Sequence, residues 1–100
     1  MDELTFEWDP HKDALNQANH GVSFDEARTV FFDPHAMVID DPDHSADEER
    51  FIIMGHSRVL RLLVVVHCFR AAHSTIRIIS ARKATKNETA SYAGGERHGR

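Results

Sequence analysis

Leu4-Thr5-Phe6-Glu7-Trp8 alternates apolar with polar residues, the period of a short strand that buries one face. Asp9-Pro10 then opens a helix. The aspartate can accept from first-turn amides, and proline's fixed φ suits a position where its missing N–H is harmless. Gly21 supplies a left-handed exit, so the helix covers about residues 10–20, with Leu15 and Ala14/Ala18 apolar and Lys12, Asn16 and His20 in a polar stripe. Ser23-Phe24-Asp25-Glu26 is a capping box, in which serine reaches the third amide and glutamate reaches back to the serine amide. A second helix starts there, turns Phe24, Ala27, Val30 and Phe31 inward, and stops at Asp33-Pro34, because the residue before proline avoids the α region.

Residues 36–40 read as a strand, followed by an acceptor-rich turn, Asp40-Asp41-Pro42-Asp43-His44-Ser45. Three further strands, 50–56, 60–69 and 75–81, follow at hairpin spacing and are rich in Ile, Val, Leu and Phe. Leu62-Leu63-Val64-Val65-Val66 shows no alternation, which predicts a central strand covered on both faces. Connections this short require antiparallel neighbours. Residues 85–92 predict a closing helix, and residues 93–100 a flexible basic tail. The order β, α, α, β, β, β, β, α predicts one α+β domain over residues 1–92, with two N-terminal helices and a short C-terminal helix on an antiparallel sheet.

At 100 residues and 41% apolar content the chain can bury one core. No apolar run approaches the ~20 residues of a membrane span, and the acidic Met1-Asp2-Glu3-Leu4 lacks the order of a secretory signal, so a cytoplasmic protein is expected. Cys68 stands alone within an apolar run, which suits a small buried hydrophobe. Charge changes the picture most. Residues 1–50 hold 14 Asp/Glu against 3 Lys/Arg, whereas residues 51–100 hold 2 against 9. A chain this dipolar presents cations on its strand-rich half, where a phosphate polymer or an acidic partner would dock.

Arg77, Arg82, Lys83 and Lys86 form the basic cluster, to which Arg70 and Arg61 add. A guanidinium fork grips phosphate bidentately and stabilises charge that develops in phosphoryl transfer, which suits RNA cleavage. Solvated edge-strand charges that discourage aggregation are the plainer account of the same residues. RNA cleavage without a metal also needs a base for the 2′-hydroxyl and an acid for the leaving 5′-oxygen. His67 is one candidate, weighed against an ordinary core histidine; His20 is another, weighed against a partner for its helix's C-terminal dipole. Glu49, next to Arg50, is a third candidate, as a base or as an ion-pair partner of Arg82, weighed against an exposed acidic run that does neither. The acidic stretch ending in His44 offers oxygen ligands. The chain contains no His-Glu-x-x-His, no paired cysteines and no calcium-loop pattern, so no metal is expected. No glycine-rich phosphate loop points to a nucleotide, so no cofactor is expected either.

Several motifs stand together in order and spacing. They are Phe6-Glu7-Trp8-Asp9-Pro10, Asn16 with His20-Gly21-Val22-Ser23-Phe24, Glu49-Arg50-Phe51, Gly55 with Ser57, Leu62-Leu63-Val64-Val65-Val66-His67, and Arg77-Ile78-Ile79-Ser80-Ala81-Arg82-Lys83-Ala84-Thr85. Over residues 6–92 the chain resembles the BrnT family of bacterial toxins. The resemblance implies a RelE-like fold and a type II toxin that stops translation as a ribonuclease. It also implies a cognate BrnA antitoxin, through whose DNA-binding part the complex meets its operator. Lys12, His20, Glu49, Arg50, His67, Arg77, Arg82, Lys83 and Tyr92 fall on family motif positions. Family members commonly carry a glycine in the turn after Gly55-x-Ser57, where this chain has Arg58-Val59-Leu60.

The resulting expectation is a metal-independent endoribonuclease. Arg82, Lys83 and Arg77 would bind the scissile phosphate, and His67 or Glu49 would move the protons. Arg50, Arg70, Lys86, Lys12 and His20 would add RNA contacts, with Tyr92 stacking on a base. The alternative is a catalytically idle, toxin-like module that binds an antitoxin and tunes its DNA binding. Direct operator binding lacks a helix-turn-helix or ribbon arm in the sequence.

Overall fold

The computed structural model describes residues 4–40, 49–72 and 74–97. Beyond Asp40, the predicted acceptor-rich turn lies outside the described residues, as do residues 98–100 of the predicted tail. The chain runs β1 (Thr5–Glu7), α1 (Pro10–His20), α2 (Phe24–Arg28), a 3-10 turn (Thr29–Phe32), β2 (Met37–Asp40), β3 (Phe51–His56), β4 (Leu62–Arg70), β5 (Thr75–Lys83) and α3 (Lys86–Arg97). None of the described helices is long and apolar enough to cross a membrane.

The local signals act as their chemistry dictates. Asp9 Oδ1 accepts from the His11 amide at 2.8 Å, and Gly21 closes α1 at φ 67° with its N–H on Gln17 O. Ser23 Oγ accepts from the Glu26 amide at 3.0 Å. The second helix is shorter than expected, because after Arg28 the backbone tightens into the 3-10 turn. Glu26 does not complete the capping box: its carboxylate takes the Ser57 hydroxyl at 2.7 Å and the Arg61 guanidinium. Arg61 therefore spans to Glu26 and the Gly21 carbonyl on the helical side, and it does not join a basic cluster.

α1 packs by the face expected to be polar. Asn16 is 6% exposed, whereas Leu15 and both alanines stay in solvent. The Asn16 amide donates to Val22 O and Ala81 O, both at 2.8 Å, and its oxygen accepts from the Ala81 amide at 3.1 Å. One carboxamide thus satisfies three backbone groups that helix and sheet leave open, outweighing the apolar stripe.

The sheet order is β1-β5-β4-β3-β2, with β4 central as its continuous apolar run requires. Its inner face sets Ile53, Leu63, Val65, Ile78 and Ala81 against Val22, Phe24, Ala27 and Val30. Each such large side chain, fully buried, contributes roughly 1.5–3 kcal/mol. The expected antiparallel order holds for β2 to β5 but not for β1, which pairs parallel with β5 because α1, α2 and three strands intervene between them. The sheet is therefore mixed.

One bulge decides the surface. Val66 pairs with Ser80, yet His67 pairs with Ile78, so Ile79 is an extra residue in β5. Without it Arg77 and Arg82, five apart, would point to opposite faces. With it Ile78 and Ala81 both enter the core, while Arg77, Ser80 and Arg82 share the outer face. α3 lies against part of that face, where Glu88 and Ser91 border a pocket of about 250 Å³ over Met54 and Val64. The helix runs through Gly94 to Arg97, past Tyr92, where the sequence predicted a tail to begin.

Candidate functional site

The register separates the predicted cations into two groups. Arg77 stands beside Cys68, and Arg82 beside Val64, four residues of β4 and so ~13 Å apart. At the first position, where β1 and β4 end and β5 begins, Arg77 Nη1 donates to Glu7 Oε2 at 2.8 Å, and Arg70 Nε lies 3.9 Å from the same oxygen. Arg50 precedes Phe51, the partner of His67. By alternation it falls on the face and rung of Cys68 and Arg77. Its Nε is buried without a hydrogen-bond partner. Three guanidiniums thus gather at this end of the outer face, with Glu7 between two of them, and Glu49 is exposed one residue before Arg50.

At the far end of β5 the guanidinium of Arg82 is already engaged. Both arms grip Glu88, at 2.8 and 2.9 Å, and Glu88 also accepts from the Thr85 amide that begins α3. The fork, with the Thr85 amide's help, holds the Glu88 carboxyl down to about 2, and burial only partly opposes it. In this structure Arg82 anchors α3. Lys83 and Lys86 are exposed nearby, Lys83 on the opposite side of β5 from Arg82 by alternation. The single anion-gripping surface expected from sequence is therefore two sites.

Two further expectations are corrected. His67 is 1% exposed and faces the core, its ring 4.8 Å from that of Phe31 and 5.6 Å from that of Phe69. Burial pushes the imidazole below its ordinary value, partly offset by the Val65 carbonyl beside Nδ1. Tyr92 is 5% exposed and does not offer a face to a base. Its hydroxyl donates to Asp33 Oδ2 at 2.7 Å, and its ring meets that of His56 edge-on at 5.2 Å. Lys12 and His20 are exposed on α1, across the sheet from Arg77.

Residues not singled out from the sequence complete the site. In the sequence Glu7 belongs to an alternating strand and to the motif Phe6-Glu7-Trp8-Asp9-Pro10, with no site role assigned, and its partnership with Arg77 spans 70 residues. The Asp33 and His56 contact carries no local signal except that Asp33 precedes proline. Among the described residues, no group of three or more His, Cys, Asp or Glu is disposed to hold a metal.

The fold is thus an α+β domain with a mixed five-stranded sheet and arginines gathered at one end of its outer face. The family model for the ribonuclease toxin BrnT of type II toxin–antitoxin systems matches residues 8–88, and the chain belongs to that family. A type II toxin works with an antitoxin partner. The 1.1 Å crystal structure of the Brucella abortus ribonuclease toxin BrnT has the same fold: TM-score 0.62, 23% identity, covering 84% of this chain and 100% of that one. No curated protein matches the chain.

Proposed function

We propose that this chain is a RelE-like endoribonuclease that cleaves RNA without a metal ion, inhibits translation in the cytoplasm, and is neutralised by a BrnA-like antitoxin. Operator DNA would be met only through that antitoxin. The convergence of Arg50, Arg70 and Arg77 on one end of the outer face carries this reading. Guanidinium forks suit phosphate geometry, and they bind it without the counter-charge of a metal. Glu7 holds Arg77 and Arg70 in place, and the exposed Lys83 and Lys86 at the other end of β5 offer further phosphates a contact. Arg82 supports the site by fixing α3.

Purified chain incubated with single-stranded RNA in EDTA tests the proposal. Cleavage is expected, and an Arg70→Ala/Arg77→Ala variant should bind RNA at least tenfold more weakly, with a salt dependence shallower by roughly two phosphate contacts. Absence of cleavage by the unmodified chain, with antitoxin binding intact, would favour the idle interaction module instead.

A further inference from the structure

His67 lies in the core, whereas another imidazole, that of His56, opens on a cleft beside a carboxylate. His56 ends β3, and its side chain is 44% exposed. Its Nδ1 is 3.8 Å from Asp33 Oδ2, and its backbone amide donates to the same oxygen at 2.7 Å. Asp33 is itself held firmly. The His35 amide donates to Oδ1 at 2.9 Å, and the Tyr92 hydroxyl donates to Oδ2. Burial pushes this carboxyl up, but the three donors and the His56 ring outweigh it and keep it ionised below the usual range. The close seat depends on Gly55, where a Cβ would come within 2.9 Å of Asp33 Oδ2.

His56 and Asp33 line an open cleft of about 410 Å³ together with Thr29, Phe32, Arg58 and Leu60. Phe32 is 61% exposed, an apolar ring presented to solvent at the rim. Arg58 pairs with Asp25 at 3.1 Å, both half-exposed, and a surface pair of this kind exchanges readily for a phosphate. The turn that carries Arg58 holds Leu60 at φ 66°, in the left-handed region where leucine is strained. An imidazole 3.8 Å from a carboxylate, a guanidinium and an exposed aromatic ring share this cleft, and together they are parts that can cleave and position a nucleotide.

We infer that His56, oriented by Asp33, is the general base for RNA cleavage, with Arg58 on the scissile phosphate and Phe32 under the adjoining base. The inference rests on the ribonuclease reading above and names the catalytic group for it. Nδ1 faces Asp33, so Nε2 takes the proton of the ribose 2′-hydroxyl. The 2′-oxygen bonds to phosphorus, the P–O5′ bond breaks with its electron pair on the 5′-oxygen, and that oxygen takes a proton from water. The hydroxide left behind is neutralised by the proton His56 returns to solvent. The products are a 2′,3′-cyclic phosphate and a 5′-hydroxyl. The arginines at the other end of β3, ~20 Å away along the strand, hold upstream or downstream phosphates of the same RNA.

The test compares the unmodified chain with His56→Gln, Phe32→Ala and the imidazole control His11→Gln, each checked for folding by circular dichroism. Cleavage of a labelled single-stranded RNA gives kcat and KM, and fluorescence anisotropy gives Kd. His56→Gln should lower kcat about 100-fold or more with Kd changed less than threefold. Phe32→Ala should raise KM about fivefold or more. His11→Gln should match the unmodified chain, whose products should end in cyclic phosphate. A folded His56→Gln variant that cleaves within fivefold of the unmodified chain overturns the assignment and leaves the ribonuclease reading standing. No cleavage by the unmodified chain overturns both.

Discussion

The Tyr92 hydroxyl donates to Asp33 Oδ2 across 2.7 Å, tying α3 to the end of the 3-10 turn 59 residues earlier in the chain. That carboxylate also faces His56, so the last helix and the end of β3 share one acceptor. The tyrosine that the sequence offered as a base-stacking residue is, in the structure, part of the scaffold.

Tyr92→Phe keeps the buried ring and removes the donor. A hydrogen bond to a charged acceptor is worth roughly 1.5–3 kcal/mol, and Asp33 retains two backbone amides, so a loss near the lower end, about 1.5 kcal/mol, is expected. Urea unfolding measures it, and amide exchange in α3 should quicken selectively. An unchanged midpoint would show that the contact contributes nothing.

His67 gives the fold a pH dependence of definite sign. The unfolded imidazole takes a proton near its ordinary value of 6.5, while the buried ring resists one. The unfolded state therefore binds more protons below that value, and stability, complete above it, declines as pH falls through the lowered folded value. Melting followed from pH 7 to pH 5 should fall more steeply for the unmodified chain than for His67→Leu. Because the ring is buried, His67→Leu should still cleave RNA at pH 7, and loss of cleavage in a folded variant would restore the catalytic role.

Leu60 adopts φ 66° with its side chain in solvent. A left-handed backbone costs an L-residue roughly 1–2 kcal/mol, and glycine's extra freedom when unfolded returns part of that. Leu60→Gly should therefore stabilise the fold by about 0.5–1 kcal/mol, read as a rise of several degrees in Tm. A drop would mean that the leucine packs in a way its exposure denies.

Much of the architecture was legible because its causes are local. Asp9, Pro10 and Gly21 bracket α1 through bonds to neighbours within four residues. Burial of Leu63, Val64 and Val65 follows from a run with no polar position to turn outward. The surface was less legible. Asn16 read as polar and therefore exposed, because the backbone groups it satisfies belong to Val22 and to Ala81, 65 residues away. Tyr92 and His67 carry groups suited to chemistry at a surface, and only packing shows both to be inside.

By itself the sequence determined the helix starts, the central strand, the segregation of charge and the family, since each rests on residue types at short or fixed spacing. The tertiary structure alone decided that β1 lies parallel to β5, that the extra residue Ile79 puts Arg77 and Arg82 on one face, and that Glu7 and Glu88 answer them. It also decided that Asp33 meets His56. Pairing register and long-range contacts are settled by the collective burial of one core, and no short window of sequence contains that sum.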